Sequence, residues 1–196
     1  MKKGMIVLIA VVGFIVLSIM WGVGQYNNMV SANEAVGAQW ANVESQYQRR
    51  SDLIPNLVST VKGYAKHEEG TLTAVVEARA KATQTVIDPS KMTEANMAKY
   101  QAAQSQVSGA LSRLLVTVEK YPDLKANQNF LELQAQLEGT ENRISVERQR
   151  FNESAQAFNT MILKFPKNII AGIGGFQKKV YFKSEDGAEA APKVTF

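Results

Sequence analysis

"RRSDLIPNLV", residues 49–58, decides how the chain divides into helices. Two arginines, a serine, an aspartate and a proline interrupt an apolar stripe that recurs every three or four positions on either side. Proline inside a helix costs roughly 3 kcal/mol, but in a first turn its missing N–H would be unsatisfied anyway. Ser51 or Asp52 as N-cap would place Pro55 in that permissive turn, and the helix dipole favours Asp52 there. The stretch therefore reads as a tight helix–helix corner, with Arg50, Asp52 and Pro55 serving structure. The competing reading is one continuous helix kinked at Pro55, which the unbroken apolar register across Arg50 supports.

Outward from this corner the chain reads as helix almost throughout. One stripe runs Met29, Asn33, Val36, Trp40, Val43, Tyr47, Arg50, Ile54, Leu57, Val61, Tyr64. A second runs Met97, Tyr100, Gln104, Val107, Leu111, Leu114, Val118, Tyr121. A third runs from Phe130 through Gln134, Leu137, Glu141, Ile144, Arg148, Phe151, Ala155, Phe158 and Ile162 to Phe165. Such spacing, sustained over many turns, marks helices packed along coiled-coil-like seams. Asp88-Pro89-Ser90 and Tyr121-Pro122-Asp123 are turns, because proline disfavours helix at the residue before it. Asn129 with Glu132 reads as a capping box for the last helix. Helices are expected near 26–50, 52–86, 92–120 and 127–165, an all-α antiparallel four-helix bundle with long helices. The expected domains are an anchor over 1–25, the bundle over 26–182 and a flexible tail over 183–196.

Arg50, Gln104, Gln134, Glu141 and Arg148 occupy seam positions that Leu or Ile would normally fill, with Glu77, Arg79 and Glu119 nearby in the helices. Either the stripes are narrower and these long stems lie at their wet edge, or they form an ion-pair layer that fixes register. Both readings are structural.

The N-terminus carries Lys2 and Lys3, then "GMIVLIAVVGFIVLSIMWGV" from Gly4 to Val23, with no charge until Glu34. Twenty residues at about 1.5 Å each span roughly 30 Å, the hydrocarbon thickness of a bilayer. A cleaved signal peptide would have a shorter apolar region, and Val30-Ser31-Ala32 lies too far beyond it to serve as the cleavage site. Trp21 and Tyr26 suit the far interface. With Lys2 and Lys3 before the span and no basic residue after it until Arg49, the positive-inside rule keeps the N-terminus in the cytoplasm and exports the bulk of the chain.

Composition excludes more than it selects. The formal charge is +4, of which Lys2 and Lys3 supply two, and the other basic residues are interleaved with acids. A nucleic-acid partner would require a clustered basic face, so none is expected. The chain has no cysteine and a single histidine, His67. That excludes thiolate metal sites, a thiol nucleophile, and the paired Glu-x-x-His of di-iron bundles. "GIGGF" at 172–176 lacks the strand and signature of a phosphate loop. Catalytic, metal-binding and cofactor-binding residues are expected to be absent, and the chain is expected not to be an enzyme. After Phe165, "FPKNIIAGIGGF" presents Ile169, Ile170, Ile173 and Phe176, followed by Lys178 and Lys179. This run either packs on the open end of the bundle or meets membrane lipid, the lysines then facing anionic headgroups.

The strings "RRSDLIPNLVSTVKGYAKHE" (49–68), "EARAKA" (77–82), "EKYPDLKANQNFLELQAQLEGTENRISVERQRFNESAQAFN" (119–159) and "FP" (165–166) strongly resemble the LemA family, over nearly all of 26–182. The resemblance implies an N-terminal membrane helix followed by a bundle of long helices, with no agreed catalytic residues to carry over. It also implies a topology with the short N-terminus outside, against the flanking charges. Gly70 departs from the family pattern, which usually has a helix-compatible polar residue there. The expected function is a non-enzymatic adaptor or scaffold for envelope proteins, anchored in the bacterial cytoplasmic membrane and open to self-association. The alternative is a regulatory partner of a membrane protease or transporter, and the third reading is an enzyme of undocumented chemistry.

Overall fold

Pro55 does not start a helix. In the computed structural model, which describes residues 3–65 and 67–183, α1 runs unbroken from Lys3 to Tyr64 with Pro55 inside it. The corner at Ser51–Asp52 is therefore corrected to the continuous helix. Proline removes the N–H that would bond the carbonyl four residues back, which is Ser51. That oxygen instead accepts a hydrogen bond from Arg79 Nε at 2.8 Å. A bond from a charged donor is worth about 1.5–3 kcal/mol, enough to offset much of the proline penalty. Burial of Ile54, Leu57 and Val61 on the same face holds the helix through the defect. Asp52 caps nothing: it sits mid-helix on the exposed face and accepts a hydrogen bond from Gln48 Nε2 at 2.7 Å.

The first reversal comes instead after Tyr64, and α2 begins at Glu69. Gly63 and Gly70 flank this turn, and glycine in a helix costs up to about 1 kcal/mol relative to alanine. The expected helix over 52–86 is thus divided between α1 and α2 (Glu69–Gln84). After a 3-10 turn at Pro89–Lys91, α3 covers Glu94–Val118, its first turn capped by Thr93 Oγ1 accepting from the Asn96 N–H. The short α4 (Pro122–Lys125) places Pro122 at its N-terminus, where proline is tolerated. α5 spans Gln128–Leu163, and its cap is Asn127, whose Oδ1 accepts from the Phe130 N–H at 3.1 Å. The Asn129–Glu132 box is thereby corrected by two residues. α6 covers Lys167–Ile173. No strand occurs among the described residues.

The described residues form two compact units. One comprises Trp40–Asn152 with 180–183, the other 3–39 with 153–179. In the first, α1, α2, α3 and α5 all contribute to one apolar core, which includes Leu57, Leu72, Val107, Leu114 and Leu137, with Leu124 of α4 added. A cluster of rings lies in the same unit: Trp40 packs on Tyr100, Phe151 and Phe182 at centroid distances of 5.3, 5.5 and 5.7 Å. The second unit carries the apolar part of α1, the one helix among the described residues long and apolar enough to cross a membrane. The expected tail lies outside the described residues beyond Lys183.

Candidate functional site

The densest polar assembly is built on Arg50. Its place in the stripe, three residues after Tyr47 and four before Ile54, aims its stem at the interior, and it is only 2% exposed. Nη1 donates to Glu141 Oε1 at 2.7 Å and to Ser108 Oγ at 2.8 Å. Nη2 donates to the Oε1 and backbone oxygen of Gln104 at 2.6 and 3.1 Å, and the guanidinium lies 5.1 Å from the Tyr47 ring centroid. The guanidinium thus ties α1 to α3 and α5. Taking an ion out of water costs several kcal/mol, and the bonds around Arg50 offset that cost. Glu141 is 40% exposed, so the pair is sealed at the arginine end and open at the other.

The ion-pair layer therefore describes Arg50, Gln104 and Glu141. The wet-edge reading describes Gln134, which donates to Glu138 on the surface, together with exposed Glu77 and the Glu119–Lys125 pair. Arg148 belongs elsewhere: it stacks 4.9 Å from the Phe182 ring centroid and donates to the Lys183 carbonyl at 3.0 Å. Asn152 clamps the same segment, its amide donating to the Phe182 carbonyl and accepting from the Phe182 N–H. Periodicity could not locate this element, since Phe182 lies beyond every stripe; the apolar triplet Val180-Tyr181-Phe182 is its only signal.

Beside Arg50 is a cavity of about 130 Å³ lined by residues including Glu44, Ser51, Arg79, Tyr100 and Gln104. Burial pushes the Glu44 carboxyl above its ordinary range, with the nearby Trp40 indole acting against the shift. The Tyr100 hydroxyl is raised chiefly by burial and then by Tyr47 and Glu44, with Arg50 and Gln104 acting against the shift. Ser51 Oγ is buried without a hydrogen-bond partner, so this hydroxyl is not coupled to a base. Its volume suits a few waters, against roughly 300–1,000 Å³ for organic ligands. A wider furrow of about 530 Å³ between α1 and α2 is lined by Val58, Leu72, Val76, Lys62, Glu69 and Thr73. His67 is exposed, and no group of three or more metal-capable side chains occurs among the described residues.

In the other unit, "GIGGF" is a helix stop. The Phe176 N–H bonds the Ala171 carbonyl and the Gly175 N–H bonds that of Gly172, closing α6 in a Schellman motif. Gly175 takes the left-handed φ of +70° that this motif requires. A Cβ at Gly174 would lie 2.9 Å from the Phe176 ring and 3.0 Å from that of Tyr26, so only glycine fits. Phe176 packs on Tyr26 and Phe158, with ring centroids 5.5 and 6.1 Å away. Ile170 Cδ1 lies 4.0 Å from where a Gly22 side chain would start. Ile169 and Ile173 are exposed, as is Lys178. Lys179 is half-buried: its N–H donates to Asn159 Oδ1 at 2.7 Å, and its ammonium lies 5.6 Å from the Phe158 ring centroid. Burial lowers its pKa, with Glu34 opposing.

Comparison with known proteins finds relatives that cover most of this chain. A magnetosome protein, MamQ 2 of Paramagnetospirillum magneticum, is 26% identical over 95% of this chain and 73% of its own length. The MamQ of Magnetospirillum gryphiswaldense is 26% identical over 87% of this chain and 69% of its own. A protein LemA of Metamycoplasma hominis is 24% identical over 76% of this chain and 64% of its own. None of these names is that of an enzyme. Residues 39–196 match the model of the LemA family, and the chain belongs to that family.

Proposed function

We propose that this protein is a non-enzymatic adaptor, anchored in the bacterial cytoplasmic membrane by α1, that presents its helical unit to other envelope proteins. The observation that supports this reading is the use to which Arg50 is put. The densest cluster of polar side chains spends its hydrogen bonds on joining α1, α3 and α5, as a structural tie does. Photo-crosslinking of the full chain in intact membranes, read by mass spectrometry, tests it. The expected result is a discrete set of envelope partners, captured by the full chain and lost when residues 4–23 are replaced by an unrelated span. An activity abolished by one exposed polar substitution, with fold and capture intact, would overturn the reading.

With Lys2 and Lys3 held in the cytoplasm, the helical unit is on the extracytoplasmic side. Because the chain has no cysteine, one introduced at Thr195 is unique. It should react with an impermeant reagent in intact spheroplasts; reaction only after lysis reverses the orientation.

A further inference from the structure

The apolar part of α1 ends at Val23, and Gly22 is therefore in the last turn of the span. Ile170 packs against that turn and Phe176 against Tyr26, one turn further on. These contacts fix the depth of α6 at the edge of the hydrocarbon, where headgroups begin. Its inner face, with Ile170 and buried Ala171, is satisfied by the unit itself. Its outer face is not: Ile169 and Ile173, one turn apart, are exposed, the latter at 84%, and Phe165 just before the helix is 80% exposed. Large side chains so placed would be unfavourable in water and suit the boundary between headgroups and acyl chains. Charge agrees with that occupant. Residues 154–179 contain Lys164, Lys167, Lys178 and Lys179 and no acidic residue.

We infer that residues 163–173 form a second contact with the same bilayer that α1 crosses, a pad in which Phe165, Ile169 and Ile173 enter the interface while Lys164 and Lys167 meet anionic headgroups. Phe176 and Lys179 are left out of the pad, because the first packs on Tyr26 and the ammonium of the second lies by the Phe158 ring. The pad rests on the reading of α1 as a span, and the experiment separates the two. The full chain, carrying one spin label at a time, is reconstituted into vesicles of zwitterionic lipid with an anionic fraction. Collision with oxygen is then compared with collision with a water-soluble nickel complex. Labels replacing Phe165, Ile169 and Ile173 should favour oxygen several-fold, and a label replacing the exposed Val116 of α3 should favour nickel. Phe14, within the span, should favour oxygen most. Nickel preference at 165, 169 and 173 with Phe14 still protected overturns the pad and leaves the span standing. Nickel preference at Phe14 overturns both. All three pad positions are exposed, so labelling them leaves the packing intact.

Discussion

Arg50 can be changed in ways that separate its charge from its shape. Arg50→Ala leaves Gln104 and Ser108 without their donor and Glu141 without its partner, and breaking such a buried pair costs roughly 3–5 kcal/mol. The half-exposure of Glu141 places the expected loss toward the lower end, because that carboxylate can rehydrate. Arg50→Lys keeps the charge but loses the planar fork that reaches Gln104, Ser108 and Glu141 together, so it should recover less than half of the loss. Denaturant titration of the full chain in detergent, followed by circular dichroism, checks both. A loss below about 1 kcal/mol for Arg50→Ala, the scale of an ordinary hydrogen bond, would show that the layer does not hold the helices. The sequence placed Arg50 on the buried stripe by spacing alone. It left open whether the head was wet, because Gln104 and Glu141 arrive from helices that only tertiary packing brings near.

At the scale of the element, the continuity of α1 depends on a residue in another helix. If Arg79 stands in for the missing N–H of Pro55, the two residues are coupled. Arg79→Ala should cost roughly 1–2 kcal/mol in the natural chain, somewhat below a fully buried charged bond. In a Pro55→Ala background, where the helix restores its own bond to Ser51, it should cost little. A double-mutant cycle measured by thermal melting separates these outcomes, and strict additivity would remove the assignment. The caps give a second prediction. Asn127→Ala should cost about 0.5–2 kcal/mol, with Asn127→Asp largely neutral, as for a helix N-cap. Asn129→Ala and Asp52→Ala should stay within about 0.5 kcal/mol, as surface changes do. The stripes themselves were legible, because burial follows helical period: the first is buried from Val36 to Val61 and the second from Met97 to Val118. The break between α1 and α2 was not. The local cost of proline pointed to residue 51, whereas the bond that offsets it comes from residue 79, and no local rule contains that distance.

For the whole molecule, the return of α5 to the end of the span is a matter of distance. Gly22 near Ile170 and Tyr26 on Phe176 place both chain segments in one unit. Spin labels at Asn28 and Lys167 should therefore read well below about 40 Å, the length of a helix of some 27 residues at 1.5 Å each. A longer distance in lipid would show that this end of the unit opens. The breaks near Pro89 and Pro122 were readable from the sequence, whereas the break before α2 was assigned to the wrong place. The segment after α6 was not readable as structure, since its side chains follow no helical period and its anchors are Asn152, Asn159 and Arg148.

That last segment sets an order on biosynthesis. Trp40 is among the first residues of its unit to be made, and Phe182, which stacks on it at 17° between ring planes, is among the last. Until residue 182 has been made, the indole lacks the ring that stacks on one of its faces. A chain stalled before residue 182 would lack one ring of its aromatic core, and open apolar surface of that kind exposes a chain to aggregation. Completion of the ring stack is thus a late event in the building of this core.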